Sequence, residues 1–234
     1  MMNLDDFETL VLTRRAIRHF KPDPIPDELL KRLLDIAHWA PSGYNLQPTH
    51  FVVVTDPQIR KELRVACMNQ IQVEEAPATV VFTGDRRVVE NNLDRVIQQE
   101  LEAGSISPKY EKAMRRFIPQ AFNQGPLGIH WLWKVVSPPF SRMRRPIPSF
   151  PAVQKRFWLA KQVMLSSMVF MLAATAAGLA TAPMEGFDEV YVKRILGIPS
   201  SHIVPIVIPV GYPVDMELNS TRIPIDDITH WNTW

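Results

Sequence analysis

TRRAIRHF, residues 13–20, places three arginines within five positions and decides how the rest of the chain is interpreted. Phe7, Leu10 and Val11 precede it at helical spacing, so the stretch follows a short amphipathic helix. Most basic runs of this kind form a solvated surface. A planar guanidinium also binds a dianion well, because it forms forked, charge-assisted hydrogen bonds with phosphate oxygens. The stretch alone leaves both interpretations open.

The composition is that of a globular protein, and the length allows one sizeable core or two small ones without requiring a second domain. Of the 234 residues, 46% are hydrophobic and 21% are charged. The net charge of +2 is too small to indicate nucleic acid or an anionic membrane surface as a partner. A single cysteine, Cys67, excludes an internal disulfide and fits a reducing compartment. The first residues lack the apolar segment of a signal peptide, so we expect a cytoplasmic protein.

Helical and strand patterns alternate irregularly along the chain. The apolar runs 50–55 and 79–84 predict two buried strands, and residues 203–211 predict a third. Pro205 and Pro209 place this third strand at an edge or a bulge, because proline cannot donate to a strand ladder. The sequence has no dinucleotide-binding glycine fingerprint. We therefore predict an α+β fold rather than a doubly wound parallel sheet.

The stretch 163–184 contains no charged residue and is near the length that spans a bilayer. Serines, threonines and alanines dilute its hydrophobicity. A helix that is apolar on all sides also forms the buried axis of a core or of a dimer interface. We predict such a buried helix here and no membrane span.

Residues typical of common catalytic sites do not occur at the required spacings. The six histidines show no i, i+4 pairing, so no metal site is predicted. The sequence lacks the serine-hydrolase, phosphate-loop and zinc-protease motifs. Cys67, as a lone thiol, is more typical of a small buried side chain than of a nucleophile. Difficult chemistry would therefore need a bound cofactor.

Two further segments carry a resemblance to a known family. Residues 40–48 bring a hydroxyl and side-chain amides to a helix-to-strand junction, and residues 183–188 include Gly186, where a backbone can approach a ligand closely. Together with residues 13–20, they resemble the flavin-dependent nitroreductase family. The resemblance covers residues 4–84 and 155–231, whereas 85–154 matches no part of the family that we can place.

The resemblance implies a nitroreductase-like fold, with a central, mostly antiparallel sheet flanked by helices. The molecule would be an intertwined homodimer with FMN sites at the interface. Residues 1–234 would form one FMN-binding domain, with a helical and Pro-rich insertion at about 85–154. The implied reaction is ping-pong hydride transfer from NAD(P)H, through N5 of FMN, to a nitroaromatic, quinone or similar small electron-poor acceptor. NADH and NADPH remain alternatives, and the physiological acceptor is open.

By the same resemblance, arginines would bind the phosphate and the pyrimidine edge of FMN, and residues 41–45 of the second subunit would cover the isoalloxazine. The backbone of Glu185 or Gly186 would address N5, and no side chain is implied as a catalytic acid. Ala16 occupies a position where the family commonly has serine, so one hydroxyl contact is lost. The implied cofactor-binding residues are Arg14, Arg15, Ala16, Arg18, Pro41, Ser42, Gly43, Asn45, Asn69, Pro183, Met184, Glu185, Gly186 and Arg222.

Two alternative functions stay open. One is a reductive dehalogenase or desaturase of the same fold, in which the segment 85–154 forms a lid. Trp131 and Trp133 would then line the active site, although ordinary packing also explains them. The other is a flavin-binding protein without turnover.

Overall fold

A four-stranded antiparallel sheet forms the centre of the structure, a computed structural model that describes residues 3–123, 132, 136, 154–214 and 220–234. The order across the sheet is β1-β2-β4-β3. The strands are β1 (Thr49–Val54), β2 (Ala78–Asp85), β3 (Ala180–Thr181) and β4 (His202–Gly211). The arrangement confirms the predicted α+β class and the antiparallel sheet.

Helices cover both faces of this sheet. Local capping residues explain several of their ends: Asn3 forms a capping box with Asp6, the Ser107 hydroxyl accepts from the Tyr110 N–H, and Gly197 ends its helix with φ of 64°. The helices are α1 (Leu4–Thr13), α2 (Asp27–His38), α3 (Pro57–Ala66), α4 (Gln72–Glu75), α5 (Val88–Glu102), α6 (Pro108–Phe122), α7 (Lys155–Ala176) and α8 (Glu189–Leu196).

Alternate residues of β2 point into two different cores, which explains why all eight of its residues are buried. Val80 and Phe82 pack with α2 and α7 on one face, where Phe82 meets Phe170 with ring centroids 5.4 Å apart. Val81 packs with α3 and α8 on the other face. A third cluster joins α5 and α6 to Leu46. The sheet is therefore the middle layer between two helical layers.

One strand prediction needs correction, and the structure decides between the two alternatives of another. The run 50–55 was predicted as a buried strand, but β1 lies at the edge of the sheet and only Val54 is buried. The strand at 203–211 is not an edge strand, because β4 lies between β2 and β3. Its predicted bulge is confirmed: the register with β2 shifts between Phe82 and Gly84, opposite the part of β4 that contains Pro205. An irregular register there tolerates a residue that cannot donate a hydrogen bond.

The charge-free stretch 163–184 is not one helix. α7 begins earlier, at Lys155, and ends at Ala176. Gly178, with φ of 75°, turns the chain into β3. By length and composition, α7 is the one helix in the described ranges that could cross a membrane, and 44% of its apolar window is buried inside the molecule. Val163, Phe170 and other residues of α7 pack into the core beside the sheet.

The region 85–154 is partly helical. α5 and α6 occupy residues 88–122 and pack against each other through Leu93, Ile97, Met114 and Ile118. Trp131, Trp133 and the Pro-rich residues 137–151 lie outside the described residues. The interpretation of 85–154 as an insertion stays a prediction.

We expect Phe170→Ala to lower the free energy of unfolding by about 3–5 kcal/mol, because it removes a fully buried ring and leaves a cavity between α7 and β2. The measurement is urea unfolding followed by circular dichroism at one fixed protein concentration. Phe157→Ala is the matched control on the same helix, since Phe157 is 60% exposed, and we expect a change within about 0.5 kcal/mol. Equal losses in the two variants would contradict the assigned core.

Candidate functional site

Residues 180–184 run along the outer side of β4, and this segment positions the residues of the candidate site. Ala180 pairs with Gly211, and the Ala182 N–H donates to the Pro209 carbonyl over 3.0 Å. Met184 and Val207 exchange two hydrogen bonds of 2.9 and 3.0 Å. The segment after the arginine stretch joins this edge, because the Ile17 N–H donates to the Thr181 carbonyl over 3.1 Å. One sheet edge therefore fixes residues 14–17 and 183–186 relative to each other.

Arginines gather beside one end of this edge. Arg14 and Arg15 line an open cavity of about 460 Å³ together with Thr175, Gly178 and Val214. Burial lowers the pKa of Arg14, and the positive charges of Arg15 and Arg222 lower it further. Arg222 therefore lies close enough for its charge to act on Arg14, although it comes from the other end of the chain. A cationic cavity of this kind suits a phosphate dianion.

Ala16 and Arg18, the two other cofactor-binding residues predicted within residues 13–20, have exposed side chains. Ala16 pairs in parallel with Thr181, so its backbone belongs to the sheet edge while its side chain is exposed. Arg18 is also exposed. Neither residue lines the 460 Å³ cavity, whose walls include Arg14, Arg15, Thr175, residues 178–180 and Val214.

The other end of the edge presents backbone groups to solvent. Pro183 is half-buried, Met184 is buried, and Glu185 and Gly186 are exposed. Among the described residues, no hydrogen-bond acceptor faces the N–H of Glu185 or of Gly186. Gly186 lies about 16 Å along the edge from Thr181, at about 3.3 Å per residue of extended chain. The edge therefore joins a cationic cavity to free backbone donors.

A glutamine pair holds residues 184–186 in place. The Gln70 side chain donates to the Gly186 carbonyl over 2.9 Å, and Gln72 Nε2 lies 3.0 Å from Gln70 Oε1 and 3.4 Å from the Met184 sulfur. Asn69, next to Gln70, has φ of 57°, in the left-handed region that asparagine tolerates. Asn69 therefore lies on the turn that contacts residues 184–186. Nothing in the sequence indicates either glutamine, because only this fold brings residues 70–72 next to 184–186.

Hydrogen bonds attach the loop 41–45 to α5 and α7, away from the arginine cavity. The Gly43 N–H donates to Gln162 Oε1 over 2.7 Å, and the Asn45 amide donates to Glu100 over 3.0 Å. Ser42 Oγ accepts from the Gln47 N–H over 2.9 Å, while Pro41 is exposed beside it. Gln162 and Thr175, which borders the arginine cavity, are about 20 Å apart along α7, at about 1.5 Å per residue. A single chain does not bring this loop to the arginine cavity.

Cys67 takes no part in this site. It is fully buried, and burial raises its pKa to about 12. A thiol with such a pKa stays protonated near neutral pH, so it is a poor nucleophile. The prediction of a small buried side chain is confirmed.

The structure is thus an α+β protein with an antiparallel sheet between helical layers, and its sheet edge carries a cationic cavity and exposed backbone donors. The chain belongs to the nitroreductase family, whose sequence pattern matches residues 11–212. This confirms the resemblance drawn from the three motifs.

Named relatives are similar to this protein over nearly its whole chain. An NADH dehydrogenase of Thermus thermophilus is 31% identical over 226 residues, which cover 97% of this chain and 96% of the relative. The Bacillus subtilis protein YdgI, named as an NAD(P)H nitroreductase, is 28% identical and covers 99% of this chain and 100% of the relative. A crystal structure of a nitroreductase in complex with FMN, from Exiguobacterium sibiricum, is 26% identical with a TM-score of 0.73, and 97% of each chain is covered.

We expect Gln70→Leu to loosen residues 184–188, because it removes a hydrogen bond of about 1 kcal/mol to the Gly186 carbonyl. Amide hydrogen exchange of Met184 and Asp188, whose N–H groups are hydrogen-bonded, should accelerate about 5-fold. Gln58→Leu, which removes an exposed contact with Glu62 on α3, is the matched control. Similar acceleration in both variants, or in neither, would show that Gln70 does not position this segment.

Proposed function

We propose that this chain is an FMN-dependent NAD(P)H oxidoreductase that acts on small electron-poor acceptors such as quinones and nitroaromatics. Membership of the nitroreductase family supports this, as do the names of its relatives and the FMN complex of a similar protein. FMN, when bound, would supply the redox chemistry, which is hydride transfer from NAD(P)H to the acceptor in a ping-pong sequence. The chain itself would bind the flavin, orient it and stabilise its charge electrostatically.

The observation that carries the proposal is the convergence of Arg14, Arg15 and Arg222 beside one cavity. Burial, and then the positive charges of Arg15 and Arg222, lower the pKa of Arg14, and a bound anion would stabilise this cluster of cations. A terminal phosphate supplies that anion, and guanidinium groups bind it through forked hydrogen bonds. In this proposal Arg18 lies near the pyrimidine edge of the flavin, where a cation stabilises the negative charge of the reduced ring.

The sheet edge gives the flavin its orientation in this proposal. Pro183 and Met184 lie beside the isoalloxazine, and the exposed N–H groups of Glu185 and Gly186 face its N5 edge. Asn69 contacts the polar edge from the neighbouring turn. No side chain is assigned as a proton donor, because in this proposal the protein contributes to catalysis by positioning the reactants and by electrostatic stabilisation. The expected location is the cytoplasm, where NAD(P)H is available.

The proposed active unit is a homodimer. α1 has no buried residue, and the outer side of α7 exposes Leu165 and Met168. The C-terminal arm also exposes large apolar side chains, with Trp231 83% and Trp234 100% exposed. Soluble proteins rarely leave such surfaces uncovered. A second copy would cover them and bring its Pro41, Ser42, Gly43 and Asn45 to the flavin, which one chain cannot do across the length of α7.

We expect Arg14→Ala combined with Arg222→Ala to give a folded, colourless dimer, because two guanidinium contacts to phosphate are lost. Each charge-assisted contact is worth about 1.5–3 kcal/mol, so FMN affinity should fall by at least about 100-fold. The measurements are flavin absorbance of the purified protein, FMN titration by fluorescence quenching, and mass by light scattering.

Arg32→Ala combined with Arg95→Ala is the matched control, since both arginines are exposed on helices away from the cavity. It should remain yellow, with unchanged FMN affinity. A yellow Arg14/Arg222 double variant that binds FMN as tightly as the unmodified protein would refute the phosphate assignment.

A further inference from the structure

Two histidines and an aspartate meet at the end of the sheet that lies away from the arginine cavity. His50 is in β1, Asp85 is the last residue of β2, and His202 is the first residue of β4. Asp85 pairs directly with His202 across the sheet, and His50 pairs with Thr83 on the neighbouring side of β2. One ligand atom from each residue lies within 4.8 Å of the other two, and the two imidazole rings are 4.9 Å apart.

Hydrogen bonds hold the two inner residues in place. Asp85 is 2% exposed, and its carboxylate accepts from the Arg87 N–H over 2.8 Å and from the Asn91 amide over 2.6 Å. Each carboxylate oxygen keeps a second lone pair for another partner. His202 Nδ1 lies 3.2 Å from Ser201 Oγ, a contact that lets Nδ1–H donate and leaves Nε2 as an acceptor. Such outer contacts orient ligands in metal sites.

Histidine coordinates a metal ion through a neutral imidazole nitrogen, and the Nδ1 contact with Ser201 leaves Nε2 of His202 for that role. His50 is exposed, so its ring can rotate and the open side of the cluster faces water.

We propose that His50, Asp85 and His202 bind a divalent transition-metal ion, with water completing the coordination. Two imidazoles and one carboxylate suit Zn²⁺ and its neighbours in the first transition row, whereas Mg²⁺ prefers oxygen ligands. Tetrahedral Zn²⁺ with bonds of about 2.0–2.1 Å has ligand atoms about 3.3–3.4 Å apart. Movements of at most about 1.4 Å between the three ligand atoms would therefore complete the site.

The metal site is separate from the proposed flavin site. His202 is about 16 Å from Val207, which pairs with Met184, and about 30 Å from Gly211 near the arginine stretch, at about 3.3 Å per residue of β4. A bound ion would join β1, β2 and β4 at one end of the sheet. It would stabilise the folded chain by mass action, since the unfolded chain does not hold the three ligands together.

The test is calorimetric titration of Zn²⁺ into the purified full chain, after removal of metal with EDTA and of EDTA by dialysis. We expect one ion per chain, a rise in melting temperature with Zn²⁺, and no effect of Mg²⁺. His50→Gln and His202→Gln should each weaken Zn²⁺ binding by more than about 100-fold, and Asn91→Ala by about 10–100-fold because it frees the Asp85 carboxylate. The visible spectrum of the Co²⁺-loaded protein should also be lost in His50→Gln.

His38→Gln is the matched control, because His38 is an exposed histidine at the end of α2 and outside the cluster. It should bind Zn²⁺ as the unmodified protein does. Since His50 is exposed, His50→Gln should fold normally, which circular dichroism checks. The proposal is overturned if the unmodified protein binds no stoichiometric Zn²⁺, or if His50→Gln and His38→Gln bind it equally well.

Discussion

The pairing of residues 180–184 with the end of β4 is the constraint on which the candidate site depends. It provides an edge to which the Ile17 N–H bonds, and it leads directly into Glu185 and Gly186. Arg14 and the two exposed backbone donors are therefore held by one rigid element rather than by independent loops. A site built on a sheet edge keeps its geometry because the strand ladder resists local movement.

Electrostatics explain why this edge would be occupied by an anion. Burial and two neighbouring cations lower the pKa of Arg14, so the protein carries unfavourable charge at the cavity. An anion bound at the cavity, as proposed, would recover that cost. The loop 41–45 illustrates a different constraint, because Gln162 anchors it far along α7 from the same cavity. The proposed flavin site, which includes this loop, would therefore need residues from two chains, and the exposed apolar side chains of α1 and α7 fit such a pairing.

The sequence predicted those features that local chemistry decides. The apolar run 79–84 lies in the buried strand β2, as predicted, since a continuous apolar run is a local signal. The prolines of β4 predicted an edge or a bulge but could not decide between them; the register shift with β2 accommodates Pro205 inside the sheet. His50, Asp85 and His202 follow no sequence spacing; strand register alone brings them together. The arginine site was predicted by family resemblance, since residues from both ends of a chain leave no local signal.

The most direct test of the central claim is the anaerobic visible spectrum of the purified protein after incubation with FMN. We expect a bound-flavin spectrum that bleaches with NADH or NADPH and returns when a quinone is added. A protein that stays colourless and does not take up FMN, or whose bound flavin is reduced by neither nicotinamide, would contradict the account.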